Sequence, residues 1–504
     1  MGNSRLTRTT VELPVILLPQ MKRVWLILLH ELASQAANTW IRVATAGAVL
    51  LALLVARTGS EDYRIRYDQF VQLSEQLDAT RTRKSGLSGL GLDVGLRVLH
   101  APAIGSTLVR GLESSMPIYW DFSPSGVVSG PTTPSLAQDS EVGSVLDLES
   151  LVRTVLGLLA LVLGLHMVAG ERAAGTLSGL LSQPVHRAAI AIGKILAGAL
   201  TLGAALVLSS FAAVGSVAIQ FPEVRTSNNV QALLGFGVAA FLYLVVLLAL
   251  GMIIGALTRA YSTALILGIS IWVYVAFVGP QLVVFAVRTV APVASAHQQE
   301  LERQKVFDAR LRNAQVSIGQ RFPELGGREA LALDYVPKSN VREEIERLWK
   351  SEALETRRIV EAIDERLVQG RLRQARLMRW FALASPGSVL LNAATNLADT
   401  GRPTLERWER DVRDQQRTLN KLLFDDPPRL ILLVPGGSLS GFNRRPLPTL
   451  KTIRPFEMRV PDSLRRVRDS ATELIVLVVY LLFGVGSAVA TFPHAELAEE
   501  ALRH

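Results

Sequence analysis

The chain of 504 residues contains no cysteine, which excludes disulfides and thiolate metal sites and says little about compartment. Lysine is scarce, with 8 residues against 45 arginines, and the net charge is +9. That excess does not read as a nucleic-acid surface, because the arginines alternate with Glu and Asp and form no stripe interleaved with aromatics. Catalytic signatures are missing as well. Seven histidines stand at 30, 100, 166, 186, 297, 494 and 504 without a His-x-x-x-His pair, so a zinc site has little support. GGSLSG at 436–441 is out of register for a nucleophile elbow, and GLGLDVG at 89–95 has Val94 where G-x-G-x-x-G needs glycine. Gly193-Lys194 has no glycine five positions before it and no Ser or Thr after it, so no phosphate-cradling loop is present. The chain is expected to be no enzyme and to hold no cofactor or metal of its own. A cleavable signal is not apparent either, since VELPVILLP is short and broken by Pro14 and Pro19.

What the chain does have is long apolar runs. Mean hydropathy is +0.30, and the apolar residues are clustered rather than spread. A hydrocarbon core needs about 20 mostly apolar residues per helix, and six segments qualify. They cover roughly 41–57, 151–169, 189–219, 231–257, 263–286 and 472–492. The fold class is therefore an all-α polytopic membrane protein. Gly279-Pro280 is expected to kink or end the fifth span. Arg153, His166 and Lys194 are candidate intramembrane polar residues; the first two lie close enough to span ends to snorkel.

Six spans put both termini on one face. Arg5, Arg8, Lys22 and Arg23 favour a cytoplasmic N-terminus. The boundaries follow: 1–40 is the N-terminus with an interfacial helix, or the start of the first span; 41–57 is that span; 58–150 is a first extracytoplasmic insert; 151–286 holds spans two to five; 287–471 is a second, larger insert; 472–504 is the last span and the C-terminus. The larger insert is mainly helical with some β. NVREEIERLWKSEALETRRIVEAIDERLVQGRLRQARLMRW places Val341, Ile345, Leu348, Ile359, Ile363 and Leu367 at helical spacing. A second helix is expected over 404–424, with short strands and turns over 429–460. RKSGLSGLGLDVG and SPSGVVSGPTTPS in the first insert read as flexible.

Between the second and third spans lies GERAAGTLSGLLSQPVHR, residues 170–187. Taken as one helix from Glu171, it puts Ala173, Ala174, Leu177, Leu180 and Leu181 on one face. Glu171 would stand at the helix N-terminus, where a negative charge is favoured. Pro184 would end the helix, Arg187 would mark the return to the bilayer, and Gly175 and Gly179 would let another surface approach. Periodicity alone allows either a docking helix or one lying on headgroups.

These residues resemble the ABC-2 type transporter permeases. The likeness runs through Gly170-Glu171, Gly175-Thr176-Leu177, Leu180-Leu181, Pro184-Val185, Arg187 and Gly193-Lys194. It extends to LALGMIIGALTRAYSTALILGISIWV at 248–273 and to LHAPAIGSTLVRGLESSMP at 99–117, similar to the branch with large extracytoplasmic inserts that includes gliding-motility and copper-processing permeases. ASPGSVLLNAATNLADTG matches loosely.

The resemblance implies six transmembrane helices of ABC-2 exporter type, a second permease copy or paralogue, and a separate ABC ATPase subunit that binds ATP and Mg. The 170–187 segment would be the coupling helix, with Glu171, Arg172, Gly175, Thr176, Leu177, Leu180, Leu181, Pro184 and Arg187 as its coupling residues. The N-terminal helix with Glu31 would be the elbow helix bracing the same contact. The long inserts, unlike the family's minimal members, point to a periplasmic or envelope partner. Export is one expectation; the other is a mechanotransmission or scaffold subunit that moves a partner while nothing crosses the spans.

Overall fold

Apolar runs in a membrane fold as helices because only a helix or a closed barrel satisfies its own backbone away from water. A computed structural model of the protein describes residues 17–83, 97–113, 116–123, 126–129, 146–181, 185–293, 296–323, 340–420, 431–433, 439–441 and 462–495. Six of its helices are long and apolar enough to cross a membrane. Helix α1 (Leu17–Ala37) precedes α2 (Thr39–Arg83), which carries the first span. The others are α3 (Leu148–Ala173), α5 (Arg187–Gln220), α6 (Ser227–Leu257), α7 (Tyr261–Val290) and α13 (Ala471–Thr491); the short α4 (Thr176–Leu181) lies between α3 and α5.

The helix that carries the first span does not stop near residue 57. Helix α2 continues for 45 residues, about 67 Å at the helical rise. Nothing in GSEDYRIRYDQFVQLSEQL breaks a helix decisively, and i,i+4 pairs support it: Arg57 with Glu61 at 3.4 Å and Asp62 with Arg66 at 2.9 Å. Charge marks where an apolar span ends, not where its helix ends.

Helices α3 and α6 form the centre. Each has two thirds of its most apolar window buried, against 11% for α13. Their backbones nearly touch: a Cβ on Gly164 would fall 2.1 Å from the Leu248 carbonyl oxygen, and one on Gly251 2.2 Å from that of Leu161. The fifth span neither ends nor breaks at Gly279-Pro280. A π-helical turn at Tyr274–Val278 precedes the proline and α7 runs on. Pro280 has no N–H to offer Ala276, four residues back, and the Arg153 guanidinium of α3 donates to that carbonyl instead.

The inserts add α8 (Ala296–Arg321) and α9 (Asn340–Ala382), an antiparallel pair tied by Arg310 to Glu352 at 3.4 Å and by Arg321 to Glu344. Then come α10 (Pro386–Leu397), α11 (Arg402–Asn420) and α12 (Ser463–Asp469). The expected 404–424 helix is thus α11, with 421–424 outside the described residues. Strands β1 (Arg97–Leu99), β2 (Tyr119–Ser123) and β3 (Gly126–Ser129) form an antiparallel sheet in chain order, so part of the stretch read as flexible pairs through its valines. Within 429–460, β4 (Ile431–Leu433) pairs with β5 (Leu439–Gly441). RKSGLSGLGLDVG beyond Arg83 lies outside the described residues.

The second insert is not all peripheral. Helix α10 is small and apolar, PGSVLLNAATNL, and it is buried among α6, α7 and α13. It ends in a tight hairpin. Thr400 N–H returns to the Thr395 carbonyl at 3.0 Å and Asp399 takes a left-handed φ of 59°. Asp serves where glycine is usual because its carboxylate accepts from Thr404 Oγ1 at 2.5 Å and from Arg407 at 2.7 Å. Burial pushes that carboxyl up, against the hydroxyl and the arginine.

Candidate functional site

The corner between α3 and α5 is built by one residue. Helical bonding continues from the apolar span through Ala173, because nothing before Gly175 opposes it. Gly175 then takes a φ of 73°, where a Cβ is penalised, and the chain turns into α4. Glu171 therefore lies in the last turn of α3, not at a helix N-terminus, and the segment is two helical pieces rather than one. Thr176 Oγ1 donates back to the Glu171 carbonyl at 3.2 Å.

The leucine face points inward. Leu177 is fully buried in the bundle core and Leu180 packs against it, because the interior between α3 and α5 is the nearest apolar surface. The exposed face is Ala173, Ala174, Gly175, Thr176 and Gly179, and among the described residues nothing lies within 4 Å of where a Cβ on either glycine would stand. Leu181 closes α4, Pro184 lies outside the described residues, and Arg187 starts α5.

Arg172 turns away from this face. It is 8% exposed and donates to the carbonyls of Gly255 at 3.1 Å, Ala256 at 3.4 Å and Thr258. The first two are carbonyls that the end of α6 leaves without helical partners, and Thr258 is the residue that follows the helix. Arg172 thereby ties the corner to the C-terminal end of the central helix.

Lys194 of α5 is fully buried, and its Nζ meets two carboxylates, Glu31 of α1 and Glu171 of α3, the latter at 2.5 Å. Gly193 makes this reach feasible: a Cβ there would fall 2.9 Å from the Ile27 side chain, so α1 lies directly on α5. A second tie runs from Thr201 Oγ1 to Gln35 Oε1 at 2.5 Å. Reasoning from sequence found Glu31, Glu171 and Lys194 separately; the structure brings all three together. It missed Gln35 and Thr201. Their signal was matched spacing, since Glu31 and Gln35 are one turn apart on α1 and Lys194 and Thr201 two turns apart on α5.

Both other intramembrane candidates have fixed neighbours in the bundle. His166 sits edge-on between Trp40 at 6.1 Å and Tyr261 at 6.4 Å. Arg153 is mostly buried, bonded to Glu149 at 2.7 Å and to Ala276. The bundle thus gives each of these groups a protein partner. Carbonyls of the π-helical turn at Val152–Leu156 are also taken up: Tyr243 OH donates to Arg153 O and Trp272 Nε1 to Thr154 O, each at 3.1 Å.

Against known protein families, residues 42–497 match the family described as ABC-2 family transporter protein. The chain belongs to the ABC-2 transporter family. No curated protein matches it. Family membership makes it a multi-pass membrane protein of an ABC transporter, working in the bilayer with an ABC ATPase subunit. The match opens at the start of α2, so α1 and Glu31 stand outside it while Lys194 and Glu171 stand within it. In this ABC-2 protein the charged trio links a matched and an unmatched segment.

Proposed function

We propose that the protein is the permease subunit of an exporter in a bacterial inner membrane, with both termini cytoplasmic. A separate ATPase subunit carrying ATP and Mg docks on the 170–187 corner, and a second permease copy or a paralogue completes the pathway. The observation that carries this reading is the Lys194 trio. A buried charge network is costly to distort, so a push on the exposed corner moves α1, α3 and α5 as one body. A ligand shifts such an equilibrium only by its differential affinity for the two arrangements, and a rigid corner passes that bias on. The docking face is Ala174, Thr176 and Gly179, while Leu177 and Leu180 hold the corner down.

The test contrasts those two faces. Ala174→Trp with Thr176→Trp should cut ATPase co-purification at least about tenfold, the effect of losing about 1.4 kcal/mol, at an unchanged melting temperature. Leu177→Asp should lower the melting temperature itself, since it buries an unpaired carboxylate. Undiminished ATPase capture by the double variant would remove the docking proposal.

A second reading has its own support. Helix α2 runs unbroken from beside α1 to the buried Asp62, Arg66 and Glu113 group of the inserts, a rod suited to driving a periplasmic or envelope partner. Nucleotide-dependent release of a solute from vesicles favours export. ATP-dependent movement of the inserts with no solute flux favours mechanotransmission.

A further inference from the structure

The two ends of α9 differ in charge pattern. Residues 342–365 alternate sign, as a solvated helix does, whereas Arg366 to Ala382 contain five arginines and no acidic residue. Arg371 is paired with Glu409 at 2.8 Å and Arg379 with Glu473 at 3.5 Å. Arg373 and Arg376 are exposed and have no partner among the described residues. They share one helical face with Trp380, the most exposed tryptophan among the described residues at 74%.

Helix register sets the depth of this face. Gln374 Nε2 donates to Ala291 O at 3.2 Å, just past the end of α7, and α9 runs antiparallel to α7 there. Six residues on, Trp380 is level with Phe285 of α7, which is 71% exposed on an apolar span. One turn nearer the insert, Arg376 is level with the exposed Arg288. Arg379 bonds Thr472 at 3.3 Å, at the outer end of α13. Three helices therefore agree on one boundary, with apolar side chains below it, an aromatic at it and guanidinium groups directly above. That is the profile of a bilayer interface, and the planar fork of arginine matches phosphate oxygens better than a lysine does.

We propose that this corner binds the phosphate of an anionic phospholipid headgroup in the leaflet on the insert side. Arg373 and Arg376 hold the phosphate, and Trp380 lies along the upper acyl chain. The lipid bridges α9 and the outer end of α7, and so seats the insert on the membrane. This rests on the membrane placement of the spans and not on the ATPase docking reading.

The test uses the full chain in detergent with added phosphatidylglycerol, phosphatidylcholine or soluble glycerol phosphate, with lipid binding measured by titration. Phosphatidylglycerol should bind at least about tenfold tighter than phosphatidylcholine. Each arginine near an anionic headgroup is worth roughly fivefold, so Arg373→Ala with Arg376→Ala should weaken phosphatidylglycerol about 30-fold. That double variant should leave phosphatidylcholine binding and the melting temperature in detergent unchanged. Arg373→Lys with Arg376→Lys should retain part of the preference, and Trp380→Ala should weaken both lipids alike. Equal binding of the two lipids, or undiminished phosphatidylglycerol binding by the double alanine variant, overturns the proposal. Displacement of the lipid by equimolar glycerol phosphate overturns it too, by assigning the site to a free phosphate.

Discussion

Lys194 has none of its surface exposed in an otherwise apolar helix, and the carboxylates of Glu31 and Glu171 make that position tolerable. Removing one member of a buried ion network leaves the others uncompensated, at about 3–5 kcal/mol. We therefore expect Lys194→Met to lower the melting temperature in detergent sharply. Neutralising the trio together, with Glu31→Gln and Glu171→Gln added, should restore most of the loss, because no charge is then left unpaired. A single variant that melts with the native protein would show the trio to be hydrated and would weaken the rigid-corner argument. Arg172 belongs to the same scale. The resemblance makes it a coupling residue, and in the fold it donates to the carbonyls at the end of α6.

At the scale of elements, the deciding events are where helices fail to be regular. The π-helical turn before Pro280 keeps α7 continuous, and the carbonyl the proline leaves over is met by an arginine from α3. This predicts a coupling between Pro280 and Arg153. In a Glu149→Gln background, which avoids stranding that carboxylate, Arg153→Met should destabilise the protein. With Pro280→Ala present it should do so by about 1 kcal/mol less, because the new N–H serves Ala276. Additive effects in a thermal-unfolding double-mutant cycle would show that the arginine is held by something other than the proline's orphan. The α3–α4 corner follows the same logic: one glycine at positive φ turns a helix that would otherwise extend, and the following leucines fold inward.

For the whole molecule, the question is how tightly the inserts are joined to the bundle. Arg66 is one joint, buried between Asp62 at 2.9 Å and Glu113 at 3.4 Å, with His100 on the same Glu113 oxygen at 3.2 Å. Arg66→Met should strand both carboxylates and speed amide exchange across 97–113 and β2. Exchange in α3 and α6 should stay as it was. Acceleration in those central helices as well would mean that inserts and bundle unfold as one unit, as a mechanical role for α2 requires.

The six spans, the long α9 and the family likeness were legible in the chain, since each rests on local signals: apolar length, helical period and a fixed order of glycine, leucine and proline. The candidate site was legible in membership but not in orientation. Glu31, Glu171 and Lys194 each stood out as charges in or beside apolar runs, yet they lie 140 and 23 residues apart along the chain, and no local rule pairs them. Periodicity likewise gave α4 an apolar face without saying which way that face turns. By itself the sequence determined that this is a six-span helical membrane protein, because burial of backbone polar groups in lipid leaves a polypeptide few choices. Only the tertiary structure decided that Lys194 joins three helices, that Leu177 points inward, that Arg153 serves the Ala276 carbonyl left over by Pro280 and that α10 enters the bundle. Those are long-range contacts, set by which helices pack together once every span has already formed.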